Sequence, residues 1–173
     1  MRTTSIAGMT TAAPSVIELL ELLERRGATL ATAESLTGGR VAAAVTAVPG
    51  SSACFVGGVV AYATAVKESV LGVPRGVIDQ HGVVSAECAR AMASGVRALT
   101  GATYAVSTTG VAGPGDQDGV RAGTVYVGVA GPGSPTAVAL ELSGNRSAVQ
   151  EQATREALSA VAAILEVEET GLG

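Results

Sequence analysis

The sequence predicts a three-layer α/β/α domain on a mixed sheet of about five strands. Three observations carry that prediction. Helix-periodic segments alternate with short β-branched runs through most of the chain. Two Gly-rich turns, at 34–40 and 109–115, each follow such a run. The last two runs are joined by the short turn G-P-G-S-P, which favours an antiparallel hairpin.

Pro14 to Arg26 carries Ile17, Leu20 and Leu23 at helical spacing, with Leu19 and Leu22 widening the stripe. Glu21 and Arg25 form an i,i+4 pair, and Gly27 supplies the stop. Ala28 to Ala33 reads as a strand. E-S-L-T-G-G-R (34–40) reads as a turn entering a helix from about Gly38 to Ala47. Cys54 to Ala63 is apolar and β-branched and reads as a strand; a short helix follows around Thr64 to Leu71, closed by Gly72. His81, in Q-H-G-V-V-S, takes a loop or capping role. Ser85 is an N-cap with Glu87 in the first turn of a helix running to about Leu99. Thr103 to Thr108 is a strand feeding T-G-V-A-G-P-G (109–115). Asp116 and Asp118 lie in a solvated turn, because the following V-R-A lacks the spaced carboxylates of a calcium loop. Gly123 to Ala130 and Thr136 to Leu142 are the hairpin strands. Asn145 caps a long final helix with Val149, Ala153, Ala157, Val161 and Ile164 on one face. The domain spans 14–165; the Thr/Ala-rich residues 1–13 and the acidic 166–173 are expected to be flexible.

The 173 residues make about one domain, and 47% of them are hydrophobic, enough for a buried core. Eleven basic against 15 acidic residues give a net charge of −4, which argues against a nucleic-acid groove. Phe55, Tyr62, Tyr104 and Tyr126 are the whole aromatic complement, so a base-stacking platform is excluded too. The uncharged stretch Val41 to Val66 is long enough to span a bilayer, but Pro49, Gly50 and the Gly57-Gly58 pair interrupt it; no membrane partner is expected. The N-terminus lacks a continuous apolar block, so a cytoplasmic protein is expected. The single histidine and the two cysteines, Cys54 and Cys88, cannot build a multi-His site or a zinc ribbon; two buried reduced thiols and no metal or cofactor are expected.

Ligands of α/β sheets bind beyond the carboxyl ends of strands, so the two Gly-rich turns can face one crevice if their strands are neighbours. Gly38 and Gly39 leave a helix N-terminus open to a phosphate or an oxyanion; the alternative is that they only permit a tight turn. Ten of the 11 basic residues are Arg, and Lys67 is the only Lys. With one histidine, a Ser-Lys pair is the other established way to activate a hydroxyl. Taken alone, Lys67 reads first as a solvated helix residue beside Glu68.

T-A-E-S-L-T-G-G (32–39), V-P-G-S-S (48–52), G-G-V-V-A-Y (57–62), Lys67 with L-G-V (71–73), G-V-V-S (82–85), T-G-V-A-G-P-G (109–115), G-T-V-Y (123–126) and G-N-R (144–146) occur in this order. Together they closely resemble the CinA C-terminal domain family, whose enzymatic members are nicotinamide-nucleotide amidases. The resemblance covers about residues 14–165. It implies an α/β/α fold of the anticodon-binding-domain-like type. It also implies hydrolysis of nicotinamide mononucleotide to nicotinate mononucleotide and ammonia, within pyridine-nucleotide salvage, by a homo-oligomer. Larger members carry a further N-terminal domain, so this chain is expected to be a stand-alone amidase. By resemblance, Ser35 is the nucleophile, Lys67 the general base, and Tyr62 and Thr109 site residues. Arg146, with Arg40, is suited to the 5′-phosphate. Thr37, Gly38, Gly39, Gly110 and Gly113 complete the expected substrate contacts, with backbone N–H groups near Gly38 and Gly39, and Thr109, as expected oxyanion donors. The chain departs from the family pattern at Leu36, where a small polar residue, usually Cys, is common. It departs again at Ala63-Thr64-Ala65-Val66, where the pattern is Ser-Asn-Glu-Ala, and at Val120-Arg121-Ala122, where it is Lys-Pro-Val. The alternative reading is a non-catalytic nucleotide-binding or interaction module, linked to competence and DNA damage.

Overall fold

Local chemistry sets the first elements of the computed structural model, which describes residues 14–171. The expected flexible segment 1–13 lies outside the described residues, as do 172 and 173. Helix α1 (Val16–Arg25) opens on a reciprocal cap: the Ser15 side chain accepts from Glu18 N, and Glu18 accepts from Ser15 N at 2.6 Å. Strand β1 (Leu30–Glu34) follows, buried at every position. It starts and ends later than the pattern suggested. Helix α2 (Arg40–Thr46), a 3₁₀ turn at Ser51–Ala53, strand β2 (Phe55–Val60) and helix α3 (Thr64–Ser69) come next. Then come helix α4 (Arg75–His81), helix α5 (Ala86–Thr100), strands β3 (Tyr104–Gly110), β4 (Thr124–Ala130) and β5 (Thr136–Glu141), and helix α6 (Arg146–Glu169). Ser85 and Asn145 cap α5 and α6 as predicted, each accepting from a backbone N–H in the first turn.

The sheet order is β2-β1-β3-β4-β5. β1 pairs in parallel with both β2 and β3, while β3–β4 and β4–β5 are antiparallel. The predicted mixed five-stranded sheet and its terminal hairpin are therefore present. Four strands, β1, β2, β3 and β5, point the same way, so the turns after them share one edge of the sheet.

Two apolar clusters sandwich the sheet. One joins α1, α2 and α6 to it through Leu19, Leu23, Val41, Val45, Val106, Val127 and Val161. The other joins α5 through Ala31, Ala33, Met92, Val96 and Ala105. The small residues of the second cluster let α5 ride close on the sheet. A Cβ at Gly128 would lie 2.3 Å from the Ala89 carbonyl oxygen. Cys54 and Cys88 are buried free thiols, as expected.

Two expectations are corrected. His81 does not sit in a loop: it ends α4, a helix whose short, mostly exposed turns carry too weak an apolar stripe to be read from sequence. The expected flexible tail from Glu166 is helical through Glu169, because Arg26 pairs with Glu168 at 3.5 Å and with Glu169, and the Tyr104 hydroxyl donates to Glu168. Those partners are remote in sequence.

Candidate active site

Ser35 is the first residue past β1. Its N–H donates to the Thr108 carbonyl at 3.0 Å, extending the β1–β3 ladder by one rung and holding the side chain at the sheet edge. Thr109, next to last in β3, lies beside it, so the two Gly-rich turns do meet. From β2, the chain turns at Ala61 and Tyr62 into α3 and brings Lys67 back under the same edge.

Lys67 is 2% exposed, although it is a lysine on a two-turn helix. Its Nζ lies 3.0 Å from Ser35 Oγ, 2.7 Å from the Ala61 carbonyl and 3.3 Å from the Tyr62 carbonyl. No carboxylate pairs with it among the described residues; Glu68 faces Arg75 at 4.0 Å instead. The solvated reading of Lys67 is thus replaced by a buried one. Burial pushes its pKa below the ordinary lysine value, with a smaller opposing pull from Cys88. All three contacts are made by Lys67 Nζ as donor, to the Ser35 hydroxyl oxygen and to the two carbonyls, so the amine is held directly against the Ser35 hydroxyl.

Ser35 and Lys67 line a cleft of about 120 Å³ together with Tyr62, Thr109, Gly110, Gly113 and Arg146. Arg146, the first residue of α6, donates to the Gly113 carbonyl at 2.8 Å and to the Tyr62 hydroxyl at 2.9 Å. Both partners are neutral, so its charge is available to an anion at the cleft mouth. Thr109 is buried, and its hydroxyl donates to the Val83 carbonyl at 2.6 Å. That proton is spent, which removes Thr109 from the expected oxyanion donors.

Thr37, Gly38, Gly39 and Arg40 do not line the cleft. The reason is Glu34, a fully buried carboxylate that sequence reasoning missed. It accepts from the Thr37 hydroxyl at 2.6 Å and from the backbone N–H groups of Val41 and Ala42 at 2.8 and 3.1 Å. The start of α2 that was expected to meet a phosphate or oxyanion is already filled by the chain's own anion. Gly38 and Gly39 serve the turn: their φ angles are +59° and +99°, a region L side chains rarely adopt. Arg40 is exposed and donates to the Thr37 carbonyl. The N–H groups of Leu36 and Ala112, two residues that do line the cleft, donate to no protein acceptor among the described residues.

Gln150 was also missed. From the second turn of α6, its amide donates to the Leu36 carbonyl at 2.8 Å and so pins the peptide just after Ser35. No local signal marks it, because 114 residues separate donor and acceptor.

Comparison with known proteins is consistent with this architecture. The model of the CinA C-terminal domain matches residues 13–165. A CinA-like protein of Frankia casuarinae is 48% identical over 147 residues, covering 85% of this chain and 34% of that protein. The chain thus spans about a third of the length of the curated relatives it matches. Among solved structures, a CinA superfamily protein of Klebsiella pneumoniae is 35% identical with a TM-score of 0.83, over 88% of this chain and 99% of that one. A competence damage-inducible protein A from a second Klebsiella pneumoniae strain is 37% identical with a TM-score of 0.80, over 86% and 95%.

Proposed function

Since the chain belongs to the CinA C-terminal domain family, we propose that it is an amidohydrolase using Ser35 and Lys67, and that its substrate is nicotinamide mononucleotide. The observation that carries this reading is the buried, carboxylate-free contact of 3.0 Å between Lys67 Nζ and Ser35 Oγ. An amide is a poor electrophile, so the site must supply a strong nucleophile and a proton for the departing nitrogen. Neutral Lys67 takes the Ser35 proton as Oγ bonds to the carboxamide carbon. The developing oxyanion falls to the N–H groups of Leu36 and Ala112. Lys67 then returns the proton to the amide nitrogen, the C–N bond breaks, and ammonia leaves an ester on Ser35. Water, giving its proton to Lys67, attacks that ester; Lys67 passes the proton to Ser35 Oγ as the C–Oγ bond breaks, nicotinate mononucleotide departs, and the serine and the neutral amine are restored. Arg146 holds the 5′-phosphate by its guanidinium edge, with Tyr62 orienting it.

Of the departures at 63–66, Ala63 and Ala65 are exposed and do not line the cleft, whereas Thr64 lines it beside Lys67. A homo-oligomer remains part of the proposal; β2 and β5 are the free sheet edges.

The test is ammonia release from the purified protein and the mononucleotide. Ser35→Ala and Lys67→Arg are each expected to lose at least about a hundredfold in kcat/KM, because a guanidinium cannot act as a base near neutral pH. Undiminished turnover in Lys67→Arg would overturn the assignment of the base.

A further inference from the structure

Leu36 N–H and Ala112 N–H, the donors available to an oxyanion, both lie in loops beyond the strand ends. A donor in a loop is only as effective as the framework that aims it. One helix face spans the two loops. Arg146 and Gln150 stand about one turn apart on α6. Arg146 donates to the carbonyl of Gly113, the residue after Ala112, and Gln150 donates to the carbonyl of Leu36 itself, each at 2.8 Å. The helix is fixed in turn, because Val149, Ala153, Ala157 and Val161 are buried in the apolar cluster that it shares with the sheet.

Leu36 is the second residue of a turn closed by the Gly38 N–H on the Ser35 carbonyl at 3.1 Å. That bond holds the peptide bearing the Leu36 N–H from one side. From the other side the Leu36 carbonyl meets no donor but Gln150 among the described residues. A carbonyl only accepts, so the glutamine must present its NH₂ to it. Gln150 is 7% exposed, which leaves little room for water to take its place. A buried carbonyl without a donor is costly, and a turn relieves that cost by rotating its peptides. Rotation at Leu36 swings its N–H out of line.

We propose that Gln150 is a positioning residue for the hydrolysis: by holding the Leu36 carbonyl against the fixed face of α6, it keeps the Leu36 N–H aimed into the cleft at a set separation from the Ala112 N–H. This rests on the amidase reading above and deepens it. Gln150 touches neither the substrate nor the reacting atoms, and acts through the peptide that follows the nucleophile.

The experiment compares the wild type with Gln150→Met, which keeps the length and removes the donor, and with Gln150→Arg, which keeps a donor on a long stem. In mononucleotide hydrolysis, Gln150→Met is expected to lose about ten- to a hundredfold in kcat with KM changed less than about twofold, the split left by an interaction that matters at the transition state. Gln150→Arg is expected to recover kcat to within about threefold of wild type. A KM that rises as much as kcat falls, or equal losses in Gln150→Met and Gln150→Arg, would overturn the proposal, since packing alone would then explain the residue. If Gln150→Met does not fold, Gln150→Arg decides: a kcat more than about tenfold below wild type overturns it. A second arm does not need the amide. With methanesulfonyl fluoride, Ser35 Oγ bonds to sulfur, fluoride leaves and the hydroxyl proton passes to Lys67, a mass gain readable on the intact chain. Labelling is expected to be at least about tenfold slower in Gln150→Met and to be lost in Ser35→Ala. If the mononucleotide releases no ammonia while Gln150→Met still slows labelling, the amidase reading fails and the positioning role stands. If ammonia is released and Gln150→Met turns over and labels like wild type, the positioning role fails alone.

Discussion

Glu34→Ala tests the most consequential difference between the local pattern and the fold. In the wild type the carboxylate serves three donors: the Thr37 hydroxyl and the N–H groups of Val41 and Ala42. The Thr37 hydroxyl has a second partner, Thr108 Oγ1 at 2.8 Å, and can turn to it. The two N–H groups have none. A buried donor left unpaired costs about 1–3 kcal/mol, and loss of an anion at a helix start adds about 0.3–1 kcal/mol. Together these give a destabilisation of about 2–7 kcal/mol. For a chain of this size that is a fall in Tm of roughly 5 °C or more. Glu34→Gln keeps one acceptor oxygen and places an NH₂ against the other donor, so it should fall between wild type and alanine, at about 1–3 kcal/mol. The assay is urea unfolding, with the midpoint shift read at constant m. A loss below about 1 kcal/mol in Glu34→Ala would refute the claim that this carboxylate fills the end of α2.

The remaining predictions concern Lys67, the start of α3 and the seat of α5. Burial holds the Lys67 pKa below its ordinary value, so activity should fall as pH drops through that lowered pKa and the amine takes a proton; an ascending limb at the unperturbed value of about 10.4 would contradict the burial argument. The same shift makes stability rise with pH between the folded and unfolded pKa, where the unfolded chain binds the extra proton, and Lys67→Met should flatten that slope in urea titrations. Ala63 caps α3 with φ −79° and ψ 145° but no side-chain bond; Ala63→Ser, restoring the residue of the family pattern, should stabilise by about 1 kcal/mol, measured as a Tm rise of a few degrees. Gly128→Ala would drive a methyl to 2.3 Å from the Ala89 oxygen and 2.6 Å from Ser107 Oγ, and should cost about 1–3 kcal/mol or more by urea unfolding.

Much of the fold was legible because it is written in interactions a few residues long. Ser85 and Asn145 are caps whichever way the chain later packs, the alternating runs announce βα units, and the five-residue turn before Thr136 announces a hairpin. The motif order around Ser35 and Lys67 was enough to identify the family. The missed pieces act at long range: Glu34 is read as the first residue of a turn until the buried N–H groups of α2 are seen to close over it.

By itself, then, the sequence determined the elements, their class of arrangement and one serine and one lysine worth attention. The tertiary structure decided what those two groups can do. Placing β1 between β2 and β3 puts the turns carrying Ser35, Tyr62 and Thr109 at one edge. Packing α3 under that edge strips water from Lys67, and a stripped amine 3.0 Å from a hydroxyl has a chemistry that the same lysine in solvent lacks. Spacing along a chain cannot encode desolvation, because the cost of a charge depends on everything that surrounds it, and neighbours such as Ser35 and Cys88 are remote from Lys67 in sequence.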